Sequence, residues 1–255
     1  MKVLITGVSS GIGKALAIEF SKLGYDIIGV ARRQEEMLKL KEELSTEFLP
    51  ICLDLTKDGS IELLYDKVKD EDITVLVNNA GMGIYGEFKN TKVQDDLNII
   101  NLNIIALQKL MKLFIHKMEK QEKGYILNIA SLAGLMPGGP YMSVYYATKS
   151  YVVSLSEAVA KELEEAGSPV RIATLCVGPV DTEFNEKLKI EFKNTKPLKA
   201  EYVAKYTISK LFSDVSIIIP GLKNKVVAFG NKILSRKHII NVNYKIQKNK
   251  SKVDK

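Results

Sequence analysis

Two hydrophobic periods alternate along this chain. Short apolar, β-branched runs recur at Lys2–Thr6, Tyr25–Ala31, Phe48–Leu53, Ile73–Val77, Tyr125–Ile129, Val170–Leu175 and Val215–Ile219, and runs of this length and composition read as buried strands. Between them the apolar residues fall at helical spacing. After the first run, Ile12, Leu16, Phe20 and Leu23 follow one another by four, four and three, which predicts a helix with one buried face. Seven strands separated by helices imply right-handed crossovers, and so predict a Rossmann-like, doubly wound α/β fold: a seven-stranded parallel sheet with helices on both faces. Ligands bind such a sheet beyond the carboxyl ends of its strands. The notable polar motifs all begin there: Gly7, Arg32, Asp54, Asn78, Ser131 and Gly178 each follow a predicted strand.

Two of these motifs suggest a dinucleotide. The first strand runs into Gly7-Val-Ser-Ser-Gly11-Ile-Gly13, where glycines let the backbone approach a phosphate and a helix starting near Gly11 directs free N–H groups and its positive dipole end at the anion. The spacing is Gly-x-x-x-Gly-x-Gly, unlike the usual dinucleotide fingerprint, and a ligand-free glycine turn is its alternative reading. The second strand ends in Arg32-Arg33, where dinucleotide folds usually carry an acid for the ribose hydroxyls. A carboxylate repels a 2′-phosphate and a guanidinium grips it, so the expected cofactor is NADP(H). Further along, Tyr145-Tyr-Ala-Thr-Lys149 sets a phenol and an ammonium on one helical face. Such an ammonium is expected to lower the phenol pKa from about 10 toward the range of an efficient general acid or base.

With these motifs in order, the chain resembles the classical short-chain dehydrogenase/reductase family over residues 1 to 220. The resemblance rests on Thr6-Gly-Val-Ser-Ser-Gly-Ile-Gly13, Asn78-Asn-Ala-Gly81, Ile129-Ala-Ser-Leu-Ala-Gly134, Tyr145-x-x-x-Lys149 and Gly178-Pro-Val-Asp-Thr182. It implies that Ser131 orients the substrate oxygen and that Tyr145 is the acid or base. Lys149 would lower the tyrosine pKa and hold the nicotinamide ribose, and Asn103 would hold a water for proton relay, with Asn98 and Asn101 as rivals. Ser143, two residues before the tyrosine, is read instead as a helix N-cap. The implied cofactor site comprises Gly7, Ser9, Ser10, Gly11, Ile12, Gly13, Arg32, Arg33, Asp54, Leu55, Asn79, Ala80, Gly81, Tyr145, Lys149, Gly178, Val180 and Thr182. Homo-oligomerisation is a further implication. Two departures from the family pattern remove no reacting group: Ser131 precedes Tyr145 by fourteen residues where thirteen is common, and Val177 stands where proline is usual.

Composition narrows the picture. At 255 residues, with 46% hydrophobic residues and no Pro- or Ser-rich linker, the chain is long enough for one large core, read as a catalytic domain over 1–220. The two cysteines, Cys52 and Cys176, fall in or beside predicted strands and read as buried thiols in a reducing compartment. His116 and His238 form no ligand cluster with them, so no metal site is expected. The amino terminus leads directly into a strand, and no apolar run suggests a membrane span, so a cytoplasmic location is expected.

The net charge of +7 is unevenly placed. Residues 221–255 hold ten Lys/Arg against one Asp, and the remainder holds 27 basic against 29 acidic residues. Basicity confined to an extension argues against nucleic-acid binding by the core. Within the extension, Leu222, Val226, Phe229 and Ile233 have helical spacing beside Lys225, Lys232 and Arg236. The stripe reads either as a weak peripheral contact with anionic lipid or as packing over the domain or its substrate cleft. Lys245–Lys255 is expected to be a solvated, disordered end, and deletion of residues 241–255 is expected to leave folding and NADPH affinity intact. The leading functional expectation is an NADP(H)-dependent carbonyl reductase or alcohol dehydrogenase acting on a small carbonyl or alcohol. The alternatives are a catalytically idle dinucleotide-binding sensor or scaffold on the same fold, and a lipid-surface reductase of ketoacyl or fatty carbonyls, suggested by the extension and by Met82, Met136, Tyr141 and Phe184.

Overall fold

The structure, a computed structural model, describes residues 1–188, 190, 196–213 and 215–248. Its strands are β1 (Lys2–Thr6), β2 (Asp26–Ala31), β3 (Phe48–Cys52), β4 (Ile73–Asn78), β5 (Gly124–Ile129), β6 (Val170–Leu175), the short β7 (Val180–Asp181) and β8 (Leu198–Lys199), and β9 (Ile217–Ile218). The main sheet has seven parallel strands in the order β3-β2-β1-β4-β5-β6-β9, and β7 pairs with β8 separately. The order reverses between β1 and β4, so the loops after these two strands diverge and leave a crevice at the sheet's carboxyl edge. The apolar runs form the middle of the sheet because both its faces are covered: Val3, Leu4, Ile5, Val75, Leu76 and Val77 are all fully buried.

The helices are α1 (Gly11–Lys22), α2 (Gln34–Glu43), α3 (Ser60–Val68), α4 (Val93–Ile100), α5 (Leu107–Lys120), α6 (Ser143–Glu165), α7 (Glu183–Lys187), α8 (Ala200–Leu211), α9 (Leu222–Ile233) and α10 (Arg236–Lys248). A π-helical turn, Asn101–Ala106, joins α4 to α5. One core layer packs α1 and α8 on the sheet around Leu16, Phe20, Val203 and Ile208, and the other packs α3, α5 and α6 around Leu64, Leu110, Phe114 and Val152.

Several elements differ from the sequence expectation. Gly24 adopts φ +81° and stops α1 at Lys22, so Leu23 leaves the buried face and is exposed. Only two residues of the expected strand at 215–219 pair, because β9 meets only the last two residues of β6. Cys52 is exposed: it ends the edge strand β3, where its Sγ donates to the Arg32 carbonyl at 3.4 Å. Cys176 is buried just past β6, and burial pushes its thiol up to about 12. One continuous helical stretch, Val93–Lys120, is long and apolar enough by composition to cross a membrane. In this fold the apolar face of α5 lies on the sheet, with Leu110, Met111, Phe114 and Met118 buried.

The basic extension also departs from expectation. Rather than ending in a solvated segment after α9, the chain forms α10, and this helix docks beside the start of α6. Asn243 Nδ2 donates to the Gly138 carbonyl at 2.7 Å, Gln247 Nε2 to the Tyr146 hydroxyl at 2.9 Å, and the Tyr85 hydroxyl to the Gln247 carbonyl at 2.5 Å. The Tyr244 ring stacks on Tyr141 with centroids 5.7 Å apart. Side-chain amides satisfying backbone carbonyls and buried hydroxyls do what an apolar face does elsewhere, which is why hydrophobicity alone gave no sign of the docking. Residues 249–255, where the solvated end was expected to continue, lie outside the described residues.

Candidate active site

The carboxyl edge of the sheet opens into a cleft of about 850 Å³. Every sequence-assigned site residue lines it except Gly13 and Asn103, which pack directly behind its wall.

One end is a backbone cradle. Gly7 and Gly11 adopt φ +69° and +58°, a region glycine enters without steric cost. A Cβ on Gly7 would sit 2.8 Å from Asn79 Nδ2 and 2.9 Å from Ala80 Cα, so the loops after β1 and β4 touch through glycine. Thr6 and Asn79 lock these loops together. Thr6 Oγ1 accepts the Asn79 and Ala80 N–H groups at 3.0 Å each, and Asn79 Nδ2 donates to the carbonyls of Thr6 at 2.9 Å and Gly7 at 3.0 Å. Thr182 closes the cradle from the β7 side: a Cβ on Gly11 would meet its Cγ2 at 3.1 Å. The N-terminus of α1 is left facing the cleft, an arrangement of the kind that holds a pyrophosphate.

The rim beyond β2 is basic. Arg32 is exposed there, and Arg33 reaches back over the glycine loop, donating from Nη2 to Ser9 Oγ at 3.2 Å and pairing with Glu183 at 2.8 Å. Asp54 is the nearby acid. Burial acts to raise its pKa, but hydrogen bonds from Thr56 and the charges of Arg32 and Lys57 outweigh it and hold the carboxyl below its usual range.

The other end holds the proton-transfer candidates. Ser131, after β5, caps the turn Leu132–Leu135: its Oγ accepts from Ala133 N–H at 3.1 Å and donates to the Val177 carbonyl at 3.3 Å. α6 carries Tyr145 and, one turn on, Lys149. Helix α6 begins at Ser143 with Met142 at the cap position, so Ser143 is its exposed first residue and not the cap. The Tyr145 ring is packed between Phe184, at 5.6 Å, and the Gly83 backbone, where a Cβ would lie 3.1 Å from the ring. Lys149 is 5% exposed, donates to the Ile129 carbonyl at 2.7 Å and stands 5.8 Å from the Tyr145 ring centre.

The electrostatics reverse the sequence expectation. Burial pushes the Tyr145 phenol up to about 12 against the opposing effect of its Ser131 hydrogen bond, and burial pulls Lys149 down from 10.5 to about 8. Desolvation opposes charge on both groups and, with the amine turned to the Ile129 carbonyl, outweighs their mutual attraction.

Among the three asparagines, Asn103 is the one turned toward this end. It sits in the π-helical turn, a geometry that concentrates at functional sites. Its Oδ1 accepts the Met82 N–H at 2.9 Å, and its Nδ2 donates to the Met82 carbonyl at 2.9 Å and to Thr148 Oγ1 at 3.0 Å. Thr148 in turn donates to the Tyr145 carbonyl at 2.9 Å, tying α6 to the loop after β4. Asn98 instead accepts from Gln94 along exposed α4. Thr6, Thr148 and Gln247 carry no signal in the sequence as site residues. The bracing threonine of a βα loop looks like any strand end, and Gln247 lies 101 residues from its partner Tyr146.

A cradle that excludes Cβ atoms, a helix N-terminus facing the cleft and a basic rim fit a dinucleotide. A family profile described as short chain dehydrogenase matches residues 1–192. The chain belongs to the short-chain dehydrogenase family. Among similar proteins, the NADP-dependent 3-hydroxy acid dehydrogenase of Schizosaccharomyces pombe is 32% identical over 236 residues, covering 85% of this chain and 89% of its own. The NADPH-dependent pterin aldehyde reductase of Arabidopsis thaliana is 35% identical, covering 71% and 76%. The short-chain dehydrogenase from Sphingobium yanoikuyae in complex with NADPH superposes with a TM-score of 0.81 at 26% identity, covering 91% of this chain and 93% of that one. Membership of this family makes the protein an oxidoreductase on a Rossmann-like fold.

Proposed function

We propose that the protein is an NADP(H)-dependent carbonyl reductase or alcohol dehydrogenase in which Tyr145 transfers the proton. The observation that carries this reading is the convergence of Ser131, from the turn after β5, with Tyr145 and Lys149 of α6 on one cleft wall next to the glycine cradle. A bound nicotinamide supplies or accepts the hydride. The chain's own residues do the rest. Ser131, held by Ala133 and Val177, offers its hydroxyl to the substrate oxygen, where negative charge builds during reduction. Tyr145, with its phenol near 12, stays protonated across neutral pH and is therefore an acid ready to protonate that oxygen. Lys149, near 8, is mostly charged at neutral pH and lies close enough to the ring to stabilise the phenolate left behind. Asn103 and Thr148 keep α6 and the loop after β4 in register, which holds these groups in place.

NADP(H) is favoured over NAD(H) by the absence of a carboxylate at the end of β2 and by Arg32 and Arg33 in its stead, one exposed on the rim and one lying over Ser9. The named dependence of the yeast and plant relatives on NADP or NADPH supports the same choice. The test is Tyr145→Phe, assayed with NADPH against a panel of aldehydes and ketones. Turnover should fall by roughly 10²–10⁴-fold while NADPH affinity is kept, because only the transferable proton and one hydrogen bond are removed. A variant with near wild-type turnover would refute the assignment.

A further inference from the structure

The surface of α9 is at odds with its position in the fold. Its inner face is settled: Ala228 is buried, Asn224 donates to the Pro220 carbonyl at 2.7 Å, and the helix lies against the Leu132–Leu135 turn that follows Ser131. Its outer face is apolar and uncovered. Leu222, Val226, Phe229 and Ile233 are 78%, 64%, 64% and 68% exposed. At about 100° per residue these four fall within roughly 60° of the helix circumference, a single stripe. Lys225 and Lys232 border it on one side and Lys223 on the other. Residues 221–248 contain seven Lys/Arg and no Asp or Glu.

An exposed apolar stripe of this kind marks an interaction site, and the charge around it selects the occupant. A second copy seated across a two-fold axis at α9 would set lysine against lysine, with no acid in either segment to neutralise them. A nucleic acid would use the lysines but leave four large apolar side chains against phosphate. A bilayer with anionic headgroups matches both features, since the stripe enters the headgroup and acyl boundary while the flanking lysines reach the phosphates.

We infer that α9 is an interfacial helix that seats this protein on an anionic lipid surface. The same helix walls the cleft, through Lys223, Asn224 and Val227, with Ile246 and Gln247 of α10 beside them. The cleft is therefore held at the lipid surface, where it takes carbonyl substrates dissolved in the membrane; this last consequence rests on the reductase reading above, whereas the surface contact does not.

The experiment is flotation of the full chain with vesicles of phosphatidylcholine alone and with equimolar phosphatidylcholine and phosphatidylglycerol. The protein should float with the anionic vesicles and be released at about 1 M salt, where the screening length shrinks to about 3 Å. Lys232→Gln should weaken binding by roughly 5-fold, and Phe229→Asp/Ile233→Asp should abolish it, with NADPH affinity and thermal melting unchanged in both. No flotation at low salt, or equal flotation with both vesicle types, overturns the inference. So does a Phe229→Asp/Ile233→Asp variant whose loss appears as dissociation of an oligomer in sedimentation and not as loss of vesicle binding. Because flotation requires no turnover, an inactive but floating protein refutes only the reductase reading.

Discussion

Lys149→Met removes a charge that the fold holds at a cost, and the resulting change in stability should depend on pH in a defined direction. The amine is 5% exposed and its pKa is pulled from 10.5 to about 8 by burial. Since the folded pKa lies below the unfolded one, the unfolded chain binds more protons between pH 8 and 10.5. The wild type is therefore penalised by this group below pH 8, and the penalty disappears as pH rises to about 10.5. The shift corresponds to about 3 kcal/mol. Methionine fills similar volume but leaves the Ile129 carbonyl, now accepting at 2.7 Å, without its donor, at a cost of about 1–3 kcal/mol that does not vary with pH. At pH 7 the two effects nearly cancel, so the variant should be as stable as the wild type or slightly more so, yet inactive. The difference between the two proteins should then move by about 3 kcal/mol in favour of the wild type between pH 7.5 and 10.5. Urea unfolding of both across that range measures it, and other titrating groups cancel in the comparison. A difference flat with pH would show that Lys149 has the same pKa folded and unfolded, and would refute the desolvation argument.

The same electrostatics predict that carbonyl reduction at saturating NADPH declines as pH rises through about 8, where Lys149 loses its charge, while Tyr145 near 12 remains protonated; a rate rising from pH 8 to 9 would contradict this. Arg32→Ala/Arg33→Ala should weaken NADPH by roughly 10- to 150-fold with little effect on NADH, read by fluorescence titration, and equal losses would remove the 2′-phosphate assignment. Deleting residues 241–255 should lower the melting temperature by about 5–10 °C, because the Asn243, Gln247 and Tyr85 hydrogen bonds and the Tyr141–Tyr244 stack are lost; an unchanged melting curve would mean that α10 contributes nothing to the fold.

The sequence by itself determined the features that local chemistry dictates. Strand and helix periods set the alternating α/β order, and runs buried on both faces could belong only to a covered parallel sheet. Gly7 and Gly11 were legible because a positive φ without Cβ is a local demand, and Tyr145 with Lys149 because helical geometry alone places them on one face. The tertiary structure decided whatever depends on partners remote in sequence. Asn103 differs from Asn98 and Asn101 through Met82 and Thr148. Cys52 is exposed because β3 is an edge strand, a fact of strand order and not of residue type. The downward shift of Lys149 and upward shift of Tyr145 come from how many atoms of other elements exclude water from them, which spacing does not encode. The docking of α10 rests on Asn243 and Gln247, polar residues in a polar segment, whose partners Gly138 and Tyr146 are adjacent only once the chain has folded.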